Sequence, residues 1–243
     1  MILSGSVAQA TYTRGPVATP RSIRVRSMPD LTPVVYVVDD DISVRESLEL
    51  LIRHAGWRPV LLATAQEFLA RSQATVLSCL VLDVSLPGIS GLDLQEQIAG
   101  RNEMPIIFIT GYGDVPMTVR AMKAGAVEFL VKPFNDEELL AAIRGALEHS
   151  RNALHHGAAM RSLRAAHESL TPREKEVMAL VTAGLLNKQI GHTLGISEIT
   201  VKAHRGQVMR KMQADSLPDL VTMATRLGLL PVTDTPATRG DRL

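Results

Sequence analysis

Between residues 34 and 150, short apolar runs alternate with segments whose apolar residues recur every three or four positions. The runs fall at 34–38, 59–63, 80–83, 105–110 and 127–131, and each closes on a polar residue or a turn signal. Continuous apolar runs of this length predict strands buried on both faces of a parallel sheet. Between them, 43–55 sets Val44, Leu48, Leu51 and Ile52 on one helical face and stops at Gly56. Residues 65–70, 91–98 and 115–123 predict three more helices, and Asn135 caps a fifth that carries Leu139, Leu140 and Ile143.

Five strands alternating with five helices predict right-handed crossovers and a doubly wound α/β domain. In the flavodoxin-like strand order 2-1-3-4-5, the carboxyl ends of strands one, three, four and five gather around the switch point. Open sheets of this kind place their chemistry there.

The pattern changes near residue 170. Thr171 predicts an N-cap, Pro172 a first helical position and Glu174 the other half of a capping box. That helix buries Val177, Leu180 and Val181 and stops at Gly184. Residues 187–194 form a short second helix, and Gly195-Ile196-Ser197 a tight turn. Ser197 caps a third helix reaching about residue 213, and Ser216 a fourth through Leu220 and Met223. Two helices joined by a short turn containing Gly predict a helix-turn-helix within an all-α, four-helix domain. At about 100° per residue, Val201, His204, Val208 and Met212 of the third helix face inward. Lys202, Ala203, Gly206, Gln207 and Arg210 face out. The small residues let the backbone sink into a major groove, where Lys202, Gln207 and Arg210 reach base edges or phosphates. Lys188, beside Asn187, is placed to contact phosphate.

Composition sharpens this division. Apolar residues make up 46% of the 243-residue chain and charged residues 21%, a globular balance. The net charge of +1 hides a split. Residues 34–150 hold 9 Lys/Arg against 16 Asp/Glu, whereas 151–243 hold 13 against 8. An acidic half joined to a basic half predicts two domains, the basic one meeting nucleic acid. The single cysteine, Cys79, excludes an intramolecular disulfide and sits in an apolar strand as a buried thiol. No apolar run has the length of a bilayer span, so no membrane partner is expected. His149, His155, His156 and His167 lie among Arg, Ala and Leu, without the one-face spacing and carboxylate partner of a metal site. Residues 151–168 therefore predict a helical linker that extends the preceding helix. Residues 1–33 contain one acid, Asp30, a bias shared with organellar transit peptides. They read instead as a disordered extension, or as a misassigned start with Met28 the initiator. The domain plan is 1–33 extension, 34–150 α/β domain, 151–168 linker, 169–230 helix-turn-helix domain and 231–243 disordered tail.

The candidate chemistry sits on the α/β domain. Asp39 and Asp40 follow the first strand, Asp83 ends the third, Thr110 ends the fourth and Lys132 follows the fifth. Each is an ordinary strand-end residue when taken alone. Together they make a three-carboxylate cluster that needs a cation, and all-oxygen ligands favour Mg²⁺ or Mn²⁺. Asp83 is the candidate nucleophile, able to form an aspartyl-phosphate. Lys132 supplies a point cation for phosphate oxygens, and the Thr110 hydroxyl a further donor.

These residues resemble a response-regulator receiver domain. The resemblance makes Asp39 and Asp40 the acidic pair, Asp83 the phosphoacceptor, Thr110 the switch hydroxyl and Lys132 the invariant lysine. It implies that the metal also takes the backbone carbonyl of Ser85. It further implies that Phe129 is a rotating switch aromatic and that Lys132–Pro133 is a cis bond. The wording from Ile109 through Met117 and from Ala121 through Ala126 is similar to the FixJ branch. Thr171-Pro172-Arg173-Glu174, Asn187-Lys188-Gln189-Ile190 and Thr200-Val201-Lys202-Ala203-His204-Arg205 resemble the LuxR/FixJ helix-turn-helix, which adds Thr200 and Arg205 to the DNA-binding candidates. Gly191 departs from that pattern, which usually has a small helix former such as Ala; it is expected to loosen the second helix without removing a contact group.

The resemblance implies a cytoplasmic, phosphorylation-controlled transcriptional regulator of a two-component system. A sensor histidine kinase would phosphorylate Asp83, the receiver would homodimerise through its fourth helix, fifth strand and fifth helix, and the dimer would bind promoter DNA and meet RNA polymerase. Its own chemistry would be limited to Mg²⁺-dependent self-phosphorylation and slow self-dephosphorylation. Two rivals stand beside this reading. One is a Mg²⁺-dependent phosphatase or phosphotransferase with an accessory domain, against which counts the lack of a Walker loop or kinase Gly-rich loop. The other is a DNA-binding protein indifferent to phosphate, against which the intact pocket counts.

Overall fold

The computed structural model describes residues 32–71 and 76–229. The sequence readings of residues 1–31, of Met28 as a start and of the tail from 231 fall outside the described residues. The α/β domain runs β1 (Val34–Val38), α1 (Ile42–His54), β2 (Arg58–Leu62), α2 (Ala65–Leu69), β3 (Ser78–Asp83), α3 (Gly91–Gln97), β4 (Ile106–Thr110), α4 (Val115–Lys123) and β5 (Glu128–Val131). It closes with α5 (Asp136–Glu168). The sheet is parallel throughout, in the order β2-β1-β3-β4-β5.

Side chains alternate between the two faces of each strand. Val34, Tyr36 and Val38 of β1, Leu80 and Leu82 of β3, and Ile106 and Phe108 of β4 enter one core with Phe68 of α2, Leu94 of α3 and Ala121 of α4. Val35, Val37, Cys79, Val81, Ile107 and Ile109 enter a second core with Leu48 and Ile52 of α1 and Leu139 and Ile143 of α5. Both faces are covered, which is why these strands read as unbroken apolar runs.

Helix starts follow local capping. Asp41, Thr64, Ser90, Asp114 and Asn135 each accept a hydrogen bond from a backbone N–H of the first turn. The Asp41 cap starts α1 at Ile42, one residue before the expected 43. β2 spans Arg58–Leu62, one residue earlier than its apolar run, because it pairs in register with Val34–Val38.

α5 is a single helix of 33 residues. Its first half buries Leu139, Ile143, Ala146 and Leu147 on the sheet. The buried Ser150 hydroxyl accepts from the Ser78 N–H (3.2 Å) and donates to the Glu103 carbonyl (2.5 Å). Its last turns bring Leu163 and Ala166 against a third core.

That core belongs to α6 (Pro172–Thr182), α7 (Asn187–Leu194), α8 (Glu198–Met212) and α9 (Leu217–Arg226). Val177, Met178, Ile190, Val201, Val208, Met212 and Leu220 fill it. The expected capping box is present: Thr171 Oγ1 accepts from the Glu174 N–H, and Glu174 accepts from the Thr171 N–H at 2.8 Å. The same carboxylate accepts from Lys211 Nζ at 2.6 Å, tying the start of α6 to the last turn of α8. The Lys211 ammonium holds the Glu174 carboxyl below the usual glutamate range. This pair therefore supports the fold above that range and is lost as pH falls through the lowered value.

Gly191 serves a purpose opposite to loosening. A Cβ there would stand 2.8 Å from the Ile196 carbonyl oxygen, so glycine is what lets α7 lie against the turn that follows it. Gly195 makes that turn at φ +65°, and the Ile196 N–H returns to the Gly191 carbonyl at 3.0 Å.

α8 ends on Gln213 at φ +57°, the left-handed region in which a side chain costs about 1–2 kcal/mol and glycine costs far less. Gln213→Gly should stabilise the helical domain by about 1 kcal/mol. A thermal melt of the full chain checks this, with the transition of that domain moving up.

Candidate functional site

The alternation of each strand decides which side chains meet at the carboxyl edge. Asp39 continues the row Val35–Val37, and Asp83 the row Cys79–Val81, both on the α1/α5 face. β1 and β3 are adjacent and Val38 stands beside Leu82, so the two carboxylates emerge next to each other. Lys132 follows Leu130, which points to the same face. Its Nζ donates to Asp39 Oδ2 at 2.6 Å and to Asp83 Oδ2 at 2.8 Å. Asp40 is exposed at the rim, and one carboxylate oxygen from each of Asp39, Asp40 and Asp83 lies within 4.8 Å of the others.

Backbone amides complete the arrangement. Asp39 Oδ1 accepts from the Asp41 N–H and Asp83 Oδ1 from the Ser85 N–H, both at 2.9 Å. The second of these holds the first residues of the β3–α3 loop against the Asp83 carboxylate. Burial pushes the Asp39 carboxyl above its ordinary range, against the pull of Lys132 and the Asp41 N–H, and Asp83 adds to the rise. Burial opposes the charge on Lys132, but its hydrogen bonds to Asp39 and Asp83 prevail and its pKa is raised. Three carboxylates facing one ammonium leave an oxygen-lined pocket of formal charge −2, partly open to water, which suits a hard divalent cation.

Thr110 and Phe129 belong to the other face of the sheet. Thr110 continues the row Ile106–Phe108, and Phe129 packs beside that core with its ring 6.2 Å from the ring of Phe108. The buried Thr110 hydroxyl does not join the carboxylates. It donates to the Tyr112 carbonyl (3.1 Å) and accepts from the Tyr112 N–H (3.2 Å), closing its own loop. The Lys132–Pro133 peptide is cis, as expected.

One residue of this site escaped the sequence reading. Gly91 opens α3, and a Cβ there would lie 2.3 Å from the Asp83 carbonyl oxygen. Its N–H donates to the Val84 carbonyl at 3.0 Å, so the first turn of α3 rests directly on the backbone of Asp83. Glycine as a helix start was legible; the contact that demands it was not.

In the helical domain, Val201, Val208 and Met212 of α8 are buried and His204 is half-buried. Lys202, Ala203, Gly206, Gln207 and Arg210 are exposed, as are Thr200 and Lys188. Several of these polar groups have partners within the chain. Lys202 pairs with Glu198 at 3.5 Å, and Arg210 donates to Gln207. Thr200 shares a hydrogen bond with the Ser197 hydroxyl at 2.8 Å. The half-buried Arg205 donates to Asn187 Oδ1 at 2.7 Å and so braces α8 against α7. Sequence reasoning missed the partners Asn187 and Glu198, since neither spacing nor charge shows which way a long side chain turns.

Residues 35–144 match the family model of the response regulator receiver domain, and residues 168–224 that of bacterial regulatory proteins of the luxR family. The chain belongs to the response regulators. Nodulation protein W of Bradyrhizobium diazoefficiens is 53% identical over 197 residues, covering 81% of this chain and 87% of that protein. The transcriptional regulatory protein FixJ of the same organism is 43% identical, over 81% of this chain and 96% of its own length. The response regulator protein TodT of Pseudomonas putida is 45% identical, over 84% and 90%. Among solved structures, the response regulator StyR superposes with a TM-score of 0.72 at 46% identity, covering 81% of this chain and all of that one. This response regulator thus joins a receiver to a luxR-type DNA-binding domain, and its relatives are transcriptional regulators.

Two outcomes follow for the receiver. Asp40→Asn removes one of three crowded like charges, so it should raise the thermal midpoint in a chelator. If Asp40 is a ligand of Mg²⁺, the sign should reverse when that ion is saturating, because a ligand-depleted pocket would gain less from the cation; calorimetry under both conditions checks the reversal. Gly91→Ala should cost the receiver about 1–3 kcal/mol through overpacking against Asp83, read as a lowered urea midpoint with an unchanged slope.

Proposed function

We propose that this response regulator receives a phosphoryl group on Asp83 from a sensor histidine kinase and, so modified, dimerises and binds promoter DNA. The observation that carries this reading is the convergence of Asp39, Asp40 and Asp83 around the Lys132 ammonium at the carboxyl edge of the sheet. An Asp83 oxygen attacks phosphorus, the bond from phosphorus to the kinase imidazole nitrogen breaks, and the nitrogen keeps the bonding electrons. Lys132 is placed to pass from carboxylate to phosphoryl oxygens, which carry more charge.

The residues present fit Mg²⁺ or Mn²⁺: Asp39, Asp40 and Asp83 would hold it, with the Ser85 carbonyl as a backbone ligand. Bound there, such an ion neutralises charge on the transferring group. The pocket's own residues supply the nucleophile, the counter-cation and the burial that excludes bulk water from all but its rim.

The phosphoryl oxygens offer Thr110 a stronger acceptor than the Tyr112 carbonyl, drawing its hydroxyl toward Asp83. Phe129, packed beside Phe108 on the same face, moves into the space left. This is a two-state element biased by local charge. The surface it reshapes carries Val115, Val119 and Met122 exposed along α4, with Val131 exposed on β5. Positions 115, 119 and 122 form one helical stripe, and an apolar stripe of this kind supports homodimerisation through α4, β5 and α5. Two copies of α8 would then reach half-sites on one face of the duplex, with Lys188, Thr200, Lys202, Ala203, Arg205, Gly206, Gln207 and Arg210 at the contact. RNA polymerase is the proposed downstream partner. Among the described residues no helix is long and apolar enough to cross a membrane, and we place the protein in the cytoplasm. It acts on no separate substrate beyond its own phosphorylation and slow self-dephosphorylation.

Incubation with a phosphodonor and Mg²⁺ should yield one acid-stable, base-labile phosphate per chain, without multiple turnover on a diffusible phosphoester. Asp83→Asn should abolish the modification and leave the chain monomeric and weakly bound to DNA. An Asp83→Asn protein that dimerised and bound as well as the phosphorylated wild type, by light scattering and gel shift, would refute the coupling.

A further inference from the structure

Within the basic outward face of α8 stands one large apolar side chain. Ile199 lies in the first turn of the helix and is 79% exposed. At about 100° per residue it falls in line with Ala203, Gly206 and Arg210, and opposite the buried Val201, Val208 and Met212. Little on that line screens it. Ala203 ends at its Cβ, and Gly206 has open space where a Cβ would be. To one side, Glu198 and Lys202 hold each other at 3.5 Å. To the other, Thr200 is bonded to Ser197.

A lone exposed isoleucine is ordinary on a protein surface. Position makes this one different. The first turn of the second helix of a helix-turn-helix is the part that meets base edges in the major groove. Lys202 and Arg210 on the same face supply charge complementary to phosphate, but charge on phosphate carries no sequence information. Ile199 can neither donate nor accept a hydrogen bond. Against the edge of guanine, adenine or cytosine it would strip water from polar atoms and return nothing. Thymine alone presents a methyl group in the major groove.

We infer that Ile199 is a specificity-determining residue of the DNA-binding domain, packing on the 5-methyl group of a thymine in each half-site. The inference rests on the DNA-binding reading above and adds to it the chemical class of base that the first turn of α8 selects. Shape supports the contact: with Ala203 and Gly206 behind it, the helix can approach closely enough for the Ile199 side chain to reach the base edge.

The test starts with selection of operators from a randomised duplex by the full-length chain, untreated and phosphorylated. Each thymine of the selected site is then replaced singly by deoxyuridine, which removes only the methyl group. Wild type should lose about fourfold in affinity at one thymine per half-site, the worth of about one buried methyl. Ile199→Ala, which loses the contact in both half-sites, should bind the thymine operator about sixteenfold more weakly than wild type, about fourfold per half-site, and no longer distinguish thymine from uracil at that position. Ile199→Val, which keeps a branched side chain, should retain most of the discrimination. Lys202→Ala should weaken binding to every duplex alike and leave the uracil pattern unchanged. Circular dichroism confirms that each variant is folded, as expected for a side chain this exposed. A flat uracil scan for the wild type, or an unchanged uracil loss in Ile199→Ala, overturns the inference while leaving the DNA-binding reading intact. A chain that enriches no sequence in either state overturns both.

Discussion

Lys132 bridges two carboxylates that would otherwise repel each other at the edge of a dry sheet, and much of the receiver is arranged to make that bridge possible. Removing a carboxylate from water costs several kcal/mol even after relaxation, and Asp39 is wholly buried. A single ammonium at 2.6 and 2.8 Å from Asp39 and Asp83, with one backbone N–H on each, offsets that cost only in part. The raised pKa of Asp39 is the visible remainder. A pocket left with excess negative charge suits a hard divalent cation.

The bridge depends on topology. The order β2-β1-β3-β4-β5 makes β1 and β3 neighbours although a helix, a strand and another helix separate them in the chain. Their register sets Asp39 beside Asp83, while β5, two strands away, returns Lys132 over the same face. The opposite face receives Thr110 and Phe129 beside Phe108. The charged groups and the Thr110 hydroxyl with its neighbouring aromatic rings are thus divided between the two faces of one sheet and meet only at its edge.

The two domains are joined by structure as well as by sequence. α5 packs into the receiver with its first half, is pinned there by Ser150, and enters the core of the DNA-binding domain with Leu163 and Ala166. In that second domain the Glu174 carboxylate has a role parallel to that of Asp83. It accepts from Lys211 and from a backbone N–H, and so fixes the end of α8 to the start of α6. Polar pairs at element ends set geometry in both halves, whereas apolar rows set the elements themselves.

Apolar periodicity, cap residues and turn glycines determined the order of the elements and most of their boundaries, because these are local properties of a few consecutive residues. Polar residues at strand ends likewise pointed to one edge of the sheet, since a parallel sheet collects those ends there; Asp39, Asp40, Asp83 and Lys132 converge at that edge, and the Thr110 hydroxyl does not join them. The tertiary structure decided what depends on residues far apart in sequence. It set the start of β2 through its register with β1, and turned the Thr110 hydroxyl toward Tyr112. It also tied Arg205 to Asn187 and made glycine necessary at Gly91 and Gly191, where a carbonyl oxygen from another turn occupies the space of a Cβ. Sequence spacing carries the direction of a helix face or a strand row. It carries neither the rotamer of a long side chain nor the distance of closest approach between two backbones, and those two quantities complete the site.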